Sequence, residues 1–224
     1  MVSHRFFIFS LQLPMQTSLK SLTETGLEFP VMEQFYTIQG EGAFTGSAAY
    51  FIRLAGCDVG CVWCDVKESW NTEGYPVVSS VDLSAAALTS GTDIVVITGG
   101  EPAMYDLSLL TEKLQEAGLR THIETSGAHP IRGNWHWVCF SPKKFKQPLP
   151  EAYEKADELK VVIFNKHDFK WAETHAEKVR KDCLLYLQPE WSKAEEMTPL
   201  ITQYVKDNPR WKISLQTHKY MGIP

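Results

Sequence analysis

The sequence lacks any apolar run near the roughly 18 residues that a membrane-spanning helix needs, so a helical membrane protein is excluded. It also lacks a basic excess. Its 22 Lys and Arg stand against 27 Asp and Glu, a net charge of −5, which speaks against a broad nucleic-acid-binding surface. Internal repeats and low-complexity linkers are missing, which leaves no seam between domains. Cysteine is scarce, five residues and an odd number, in a chain long enough to bury a core without disulfide staples. What remains is ordinary globular composition, 44% apolar and 22% charged over 224 residues, as expected of one domain.

The first residues need separate treatment. His4-Arg5 followed by Phe6-Phe7-Ile8-Phe9-Ser10-Leu11 is similar to a short signal peptide, but Gln12 and Pro14 interrupt it and no clean cleavage site follows. The plainer expectation is a tail, or a start at Met15 or Met32. Residues 1–31 are therefore set apart, and 32–224 are expected to form the core domain.

Three of the five cysteines fall together as Cys57, Cys61 and Cys64. At this cysteine frequency, partners at both i+4 and i+7 arise by chance on the order of once in two thousand. A zinc site would need a fourth ligand, usually a second Cys pair, and none follows. Cys139 and Cys183 sit in strand-like apolar runs and read as buried thiols. Three thiolates instead suit a [4Fe–4S] cluster with one iron left open to a small molecule, whereas electron carriers usually cap all four. Gly56 and Gly60 let the backbone wrap closely around such a body, and Trp63 sets an aromatic face beside the last thiol.

Strand-like segments at 49–54, 94–98, 121–125, 136–140, 159–164, 184–188 and 212–216 alternate with helical patterns. One helix carries Leu107, Leu110, Leu114 and Ala117 on a face that ends at Gly118; another spans 192–205 before Asn208-Pro209. This βα alternation predicts an α/β fold with a parallel sheet, whose ligands gather at the carboxyl ends of the strands. The cysteines follow the first strand and Gly99-Gly100-Glu101-Pro102 the second. Glu124-Thr125-Ser126-Gly127, Ser141-Pro142-Lys143 and Gln188-Pro189 close three more. Seven strands are too few for a complete eightfold barrel, so a partial, open (β/α)6-type barrel is expected.

The C-x3-C-x-aromatic-C loop, with Gly99-Gly100-Glu101-Pro102 downstream, resembles the radical S-adenosylmethionine (SAM) superfamily. That resemblance implies that SAM chelates the open iron and is cleaved to a 5′-deoxyadenosyl radical. Further segments are similar to the 7-carboxy-7-deazaguanine synthase family: Phe35-Tyr36-Thr37-Ile38-Gln39-Gly40-Glu41-Gly42, Phe51-Ile52-Arg53-Leu54, Ser141-Pro142-Lys143, and the ending from Leu215 to Pro224. The family converts 6-carboxy-5,6,7,8-tetrahydropterin to 7-carboxy-7-deazaguanine with loss of ammonia, on the route to queuosine and other 7-deazapurines.

Residue by residue, the resemblance implies that Cys57, Cys61 and Cys64 hold the cluster. It implies SAM contacts from Trp63, Asp65, Gly100, Ser126, Ser141, Pro142, Lys143 and Gln188. Substrate contacts fall on Ile38, Gln39, Gly40, Arg53, Thr98 and His218, with the Pro224 carboxylate as an acceptor for pterin N–H groups. Arg53 offers a planar fork suited to a carboxylate. One departure stands out. The family commonly has Cys-Asp-Thr or Cys-Asp-Ser, whose hydroxyl helps hold Mg2+, and this chain reads Cys64-Asp65-Val66-Lys67. Either Mg2+ binds through substrate oxygens and water, or the Lys67 ammonium stands in for its charge.

A flavodoxin- or ferredoxin-type electron donor, a homodimer and a cytoplasmic location, where thiolates stay reduced, are also expected. Two other readings remain open at this point: a radical SAM activase acting on a protein, and a non-catalytic iron–sulfur or zinc module.

Overall fold

The computed structural model describes residues 25–224. The sequence segment 1–24, including the signal-like run, lies outside the described residues. A single nine-stranded sheet organises the rest, in the order β3-β1-β2-β4-β5-β6-β7-β8-β9. The strands are β1 (Glu28–Ile38), β2 (Ala48–Leu54), β3 (Val77–Ser79), β4 (Ile94–Gly99), β5 (Arg120–Thr125), β6 (Trp137–Phe140), β7 (Glu158–Ile163), β8 (Leu184–Pro189) and β9 (Trp211–Ile213). From β2 onward every pairing along the sheet is parallel, while β1 runs antiparallel to β2 and β3 antiparallel to β1. The sheet does not close: β3 and β9 are its two edges.

The expected parallel strands are all present, and the antiparallel pair at the edge is an addition. β1 opens at Glu28, so the core begins four residues ahead of the expected boundary; Phe29 and Val31 are buried in it. Pro30 and a register shift between Val31 and Glu33 break the alternation that would otherwise mark this strand. The last strand is shorter than expected, because Ser214 turns inward. Its Oγ donates to Gln188 Oε1 at 2.7 Å and accepts from the Gly42 amide at 2.9 Å.

Among the described residues five helices, α1 (Ser80–Thr89), α2 (Ser108–Glu116), α3 (Pro150–Lys155), α4 (Asp168–Ala176) and α5 (Ala194–Asp207), accompany the strands, and a sixth, α6 (Thr217–Met221), lies at the mouth of the sheet. Ser79 caps α1, accepting from the Asp82 amide at 3.1 Å and donating back to its carboxylate at 2.7 Å. α2 buries Leu110 and Leu114 and ends at Gly118, whose φ of 80° suits a residue without a side chain.

Alternation along the strands sorts the side chains. Val95 and Ile97 of β4, Leu159 and Val161 of β7 and Leu185 and Leu187 of β8 join the core beneath the helices. The intervening residues face the concave side, where Ala49, Phe51, Ile94 and Val96 form a small apolar floor. Above that floor the same period brings up Arg53, Thr98, Glu124, Lys160 and Gln188, all bordering one cavity.

Candidate active site

A cavity of about 440 Å³ opens at the carboxyl ends of the parallel strands. Of the sequence-predicted site residues it is bordered by Cys57, Cys61 and Cys64; by Trp63, Asp65, Gly100, Ser126, Ser141, Lys143 and Gln188; and by Ile38, Gln39, Gly40, Arg53, Thr98, His218 and Pro224. Pro142 is the exception. It is buried and does not border the cavity, its neighbours Ser141 and Lys143 turning inward instead.

The cysteine loop is seated on glycines. A Cβ on Gly99 would come within 2.1 Å of the Leu54 carbonyl oxygen, and one on Gly100 within 2.2 Å of the Gly56 oxygen and 2.8 Å of Cys57 Cβ. Only hydrogen at those positions permits this approach. The Gly100 amide donates to Leu54 O at 3.0 Å and the Glu101 amide to Gly56 O at 2.9 Å, binding the turn to the loop. Glu101 locks the far side. It is buried, one oxygen accepting from the Ala103 amide at 3.0 Å and Thr125 Oγ1 at 2.5 Å, the other from the Ser126 amide at 2.8 Å and from Ser126 Oγ. The carboxylate thus ties the end of β5 to the end of β4.

Burial pushes the Cys61 thiol up to about 11; Lys143 pulls against this, and charge on Cys64 and Cys57 adds to it. Burial likewise raises Cys57, with backbone hydrogen bonds opposing it. Thiols raised in this way, as Cys57 and Cys61 are, ionise readily only beside strong positive charge, which the irons of a cluster would provide. A mononuclear zinc site takes four ligands, and this loop offers three thiols. The glycine-lined wall and the three-thiol donor set fit a cluster.

Beside the loop, Lys143 Nζ donates to Ser141 O at 2.7 Å and to Ser141 Oγ at 2.5 Å, and stands 5.9 Å from the Trp63 ring centroid. Burial lowers its pKa, partly offset by charge on Cys61.

The opposite wall is a polar network that sequence reading largely missed. Glu124 accepts from Gln39 Nε2 at 3.0 Å and Thr98 Oγ1 at 3.3 Å, with Lys160 Nζ at 4.0 Å. Lys160 is buried and bonds Glu41, which also accepts from Gln216 Nε2 at 2.9 Å. Desolvation alone would raise the Glu41 carboxyl, but Lys160 and the Gln216 hydrogen bond override it and hold it at about 2. Lys160 stays protonated well above the usual lysine range: Cys139, Glu124, Glu41 and Glu158 outweigh the large desolvation that opposes it. The missed signal lay in β5 and β7. In a parallel sheet covered by helices, charges two apart such as Glu158 and Lys160 cannot both face solvent, so they must face an interior site.

The chain's last residues close this wall. Gly40 O accepts from the Thr217 amide at 2.9 Å and Thr217 Oγ1 at 3.0 Å, and a Cβ on Gly40 would meet His218 Nδ1 at 2.2 Å. Pro224 O accepts from Thr37 Oγ1 at 3.2 Å. Arg53 differs from its expected free fork: its Nε is held by Glu33 Oε1 at 2.6 Å, directly across the β1–β2 pairing. Asp65 is also engaged, accepting from Lys219 Nζ at 2.9 Å and Gln216 Nε2 at 3.3 Å.

A sequence model of the Radical SAM superfamily matches residues 51–164, from within β2 through the cysteine loop to the residue after β7. With the fold and the loop already described, the chain is an enzyme of the radical SAM class. Over 201 residues it is 58% identical to the 7-carboxy-7-deazaguanine synthase of Flavobacterium psychrophilum, covering 90% of this chain and 95% of that protein. The protein of the same name from Escherichia coli K12 is 36% identical over 224 residues, covering 88% and 100%. The structure titled "Crystal structure of QueE from Escherichia coli" matches with a TM-score of 0.78 at 33% identity, covering 89% of this chain and 99% of that one. The chain belongs to the 7-carboxy-7-deazaguanine synthase family.

Proposed function

We propose that this protein converts 6-carboxy-5,6,7,8-tetrahydropterin to 7-carboxy-7-deazaguanine with loss of ammonia, as a carbon–nitrogen lyase. The observation that carries the reading is convergence: residues singled out on six strand ends and the last helix border one cavity of about 440 Å³. That volume lies in the range typical of small-molecule sites. The C-terminal helix, held to Gly40, walls one side of the cavity, and a volume of this size suits a small molecule better than a protein segment, which disfavours an activase acting on a protein. A non-catalytic cluster module would have no use for the polar far wall.

When bound, a [4Fe–4S] cluster with SAM would supply the carbon-centred radical that starts the reaction. Cys57, Cys61 and Cys64 would hold the cluster. Gly100, Ser126, Ser141, Lys143 and Gln188 border the place for SAM, where Trp63 offers a stacking face and Lys143 a charge for a carboxylate. Gln39 and Thr98, held by Glu124, present hydrogen-bonding groups to a pterin edge, joined by Ile38, Gly40 and His218. Arg53 keeps its terminal nitrogens for an anion while Glu33 fixes its Nε. The network behind them, Lys160 with Glu41, holds these groups in place and excludes water, so the ring meets them in one orientation.

Mg2+, which the resemblance implies, finds no side-chain oxygen at Val66, and the neighbouring Asp65 is already paired. No step is assigned to it. Reduction of the cluster calls for a flavodoxin- or ferredoxin-type donor, a reducing compartment such as the cytoplasm suits the thiols, and a homodimer follows the family pattern. Among the described residues no helix is long and apolar enough to cross a membrane.

The test is anaerobic reconstitution with iron and sulfide, then reduction with SAM and the carboxypterin, with product read by mass spectrometry. Formation of 7-carboxy-7-deazaguanine that disappears in Cys61→Ala is expected. SAM cleavage with the pterin left intact would overturn the substrate assignment.

A further inference from the structure

The cation that the family pattern leads one to seek beside residue 66 is supplied from the other end of the chain. Lys67 does not provide it: it is exposed on the turn Lys67–Trp70 and does not border the cavity. Lys219 of α6 does border it, together with Asp65, Val66 and Trp191. Its ammonium donates to Asp65 Oδ2 at 2.9 Å and Gln216 Oε1 at 3.1 Å, and lies 4.9 Å from the Trp191 ring centroid. An ammonium has three donors. Two are spent on fixing its position, and among the described residues the third has no acceptor.

The other cations of the cavity stand on other elements. Lys160 is buried against Glu41, Lys143 stands on the cysteine side beside Trp63, and Arg53 sits on β2, its Nε held by Glu33 and its terminal nitrogens left for an anion. Lys219 is therefore the preset positive charge of the C-terminal wall, next to His218. Its position by Asp65 also leaves little for a divalent ion: valine offers no oxygen, and the adjacent carboxylate is already an ion pair.

We propose that Lys219, positioned by Asp65 and Gln216, is a specificity-determining residue that receives the carboxylate of a 6-carboxylated pterin in place of a magnesium ion. This rests on the function proposed above. An ammonium preset by two acceptors forms a charge-assisted hydrogen bond at little ordering cost. It selects for the carboxylate substituent rather than for the pterin ring.

The experiment measures binding, not turnover. Reconstituted protein with SAM is dialysed to equilibrium against oxidised 6-carboxypterin or unsubstituted pterin, each with EDTA or with Mg2+. The wild type is expected to prefer 6-carboxypterin in EDTA, with Mg2+ changing its affinity less than about twofold. Lys219→Met should weaken 6-carboxypterin about ten- to a hundredfold, the range for losing a hydrogen bond to a charged group, and leave pterin nearly unchanged. Lys219→Arg should retain most of the preference. A wild-type requirement for Mg2+, or equal weakening of both ligands in Lys219→Met, would overturn the inference; the first arm needs no variant to fold. Failure of the wild type to bind either ligand would instead overturn the pterin reading on which the inference rests.

Discussion

Gly100 meets Gly56 backbone to backbone: a Cβ on Gly100 would lie 2.2 Å from the Gly56 carbonyl oxygen. The turn that closes β4 is therefore the seat of the cysteine loop as well as a wall of the cavity, and the loop's placement depends on a residue outside it.

Gly100→Ala should displace that loop while sparing the sheet, because the contact is at its mouth. Overpacking of this kind costs about 1–3 kcal/mol. The expected result is a folded protein with reduced iron and sulfide content after reconstitution, read by metal analysis beside circular dichroism. Full cluster loading in the variant would contradict it.

Glu101 accepts four hydrogen bonds while buried, two on each oxygen. Glu101→Gln keeps the shape but points an NH2 group at two donors. Losing charged hydrogen bonds at a buried site is expected to cost about 2–3 kcal/mol or more. A lower urea midpoint at unchanged denaturant slope is the outcome that checks it.

The Glu41–Lys160 pair sets an acid dependence. Glu41 falls from 4.5 when unperturbed to about 2 in the folded protein, so its stabilisation is complete above pH about 4.5 and is lost as pH falls through about 2. Glu41→Gln should flatten the fall in stability across that window. Lys160→Met alone, stranding buried carboxylates, should cost about 3–5 kcal/mol at neutral pH. Combining both substitutions should cost less than their sum, by about 0.5–3 kcal/mol. Urea midpoints of the four proteins from pH 7 down to pH 2.5 decide it.

Gly40→Ala places a Cβ 2.2 Å from His218 Nδ1 and should push α6 off the cavity without unfolding the sheet. Faster proteolysis after Lys212 or Lys219, with an unchanged global melting temperature to within a few degrees, is expected. A protected C-terminal segment would show that α6 adapts in place.

Much of this was legible in residues that carry a pattern. The cysteine spacing, the Gly-Gly-Glu-Pro turn and the βα alternation each follow a local rule, and the parallel strands fell close to where periodicity placed them. β1 was not legible as a strand, since Pro30 and the register shift blur its period. Glu41, Lys160 and Lys219 were missed as site-building groups for another reason. Single charged residues read as surface, and their partners lie far along the chain: Glu41 and Lys160 are 119 residues apart, Asp65 and Lys219 154. Arg53 was found by resemblance, but its tether to Glu33 needed the β1–β2 register.

The bond between Thr217 and Gly40 joins positions 177 residues apart. The C-terminal helix and the turn after β1 therefore act as one clasp. The helix cannot shift without pulling on Gly40, next to the Gln39 side-chain amide that donates to Glu124, so a disturbance at the end of the chain is felt at the far wall of the cavity.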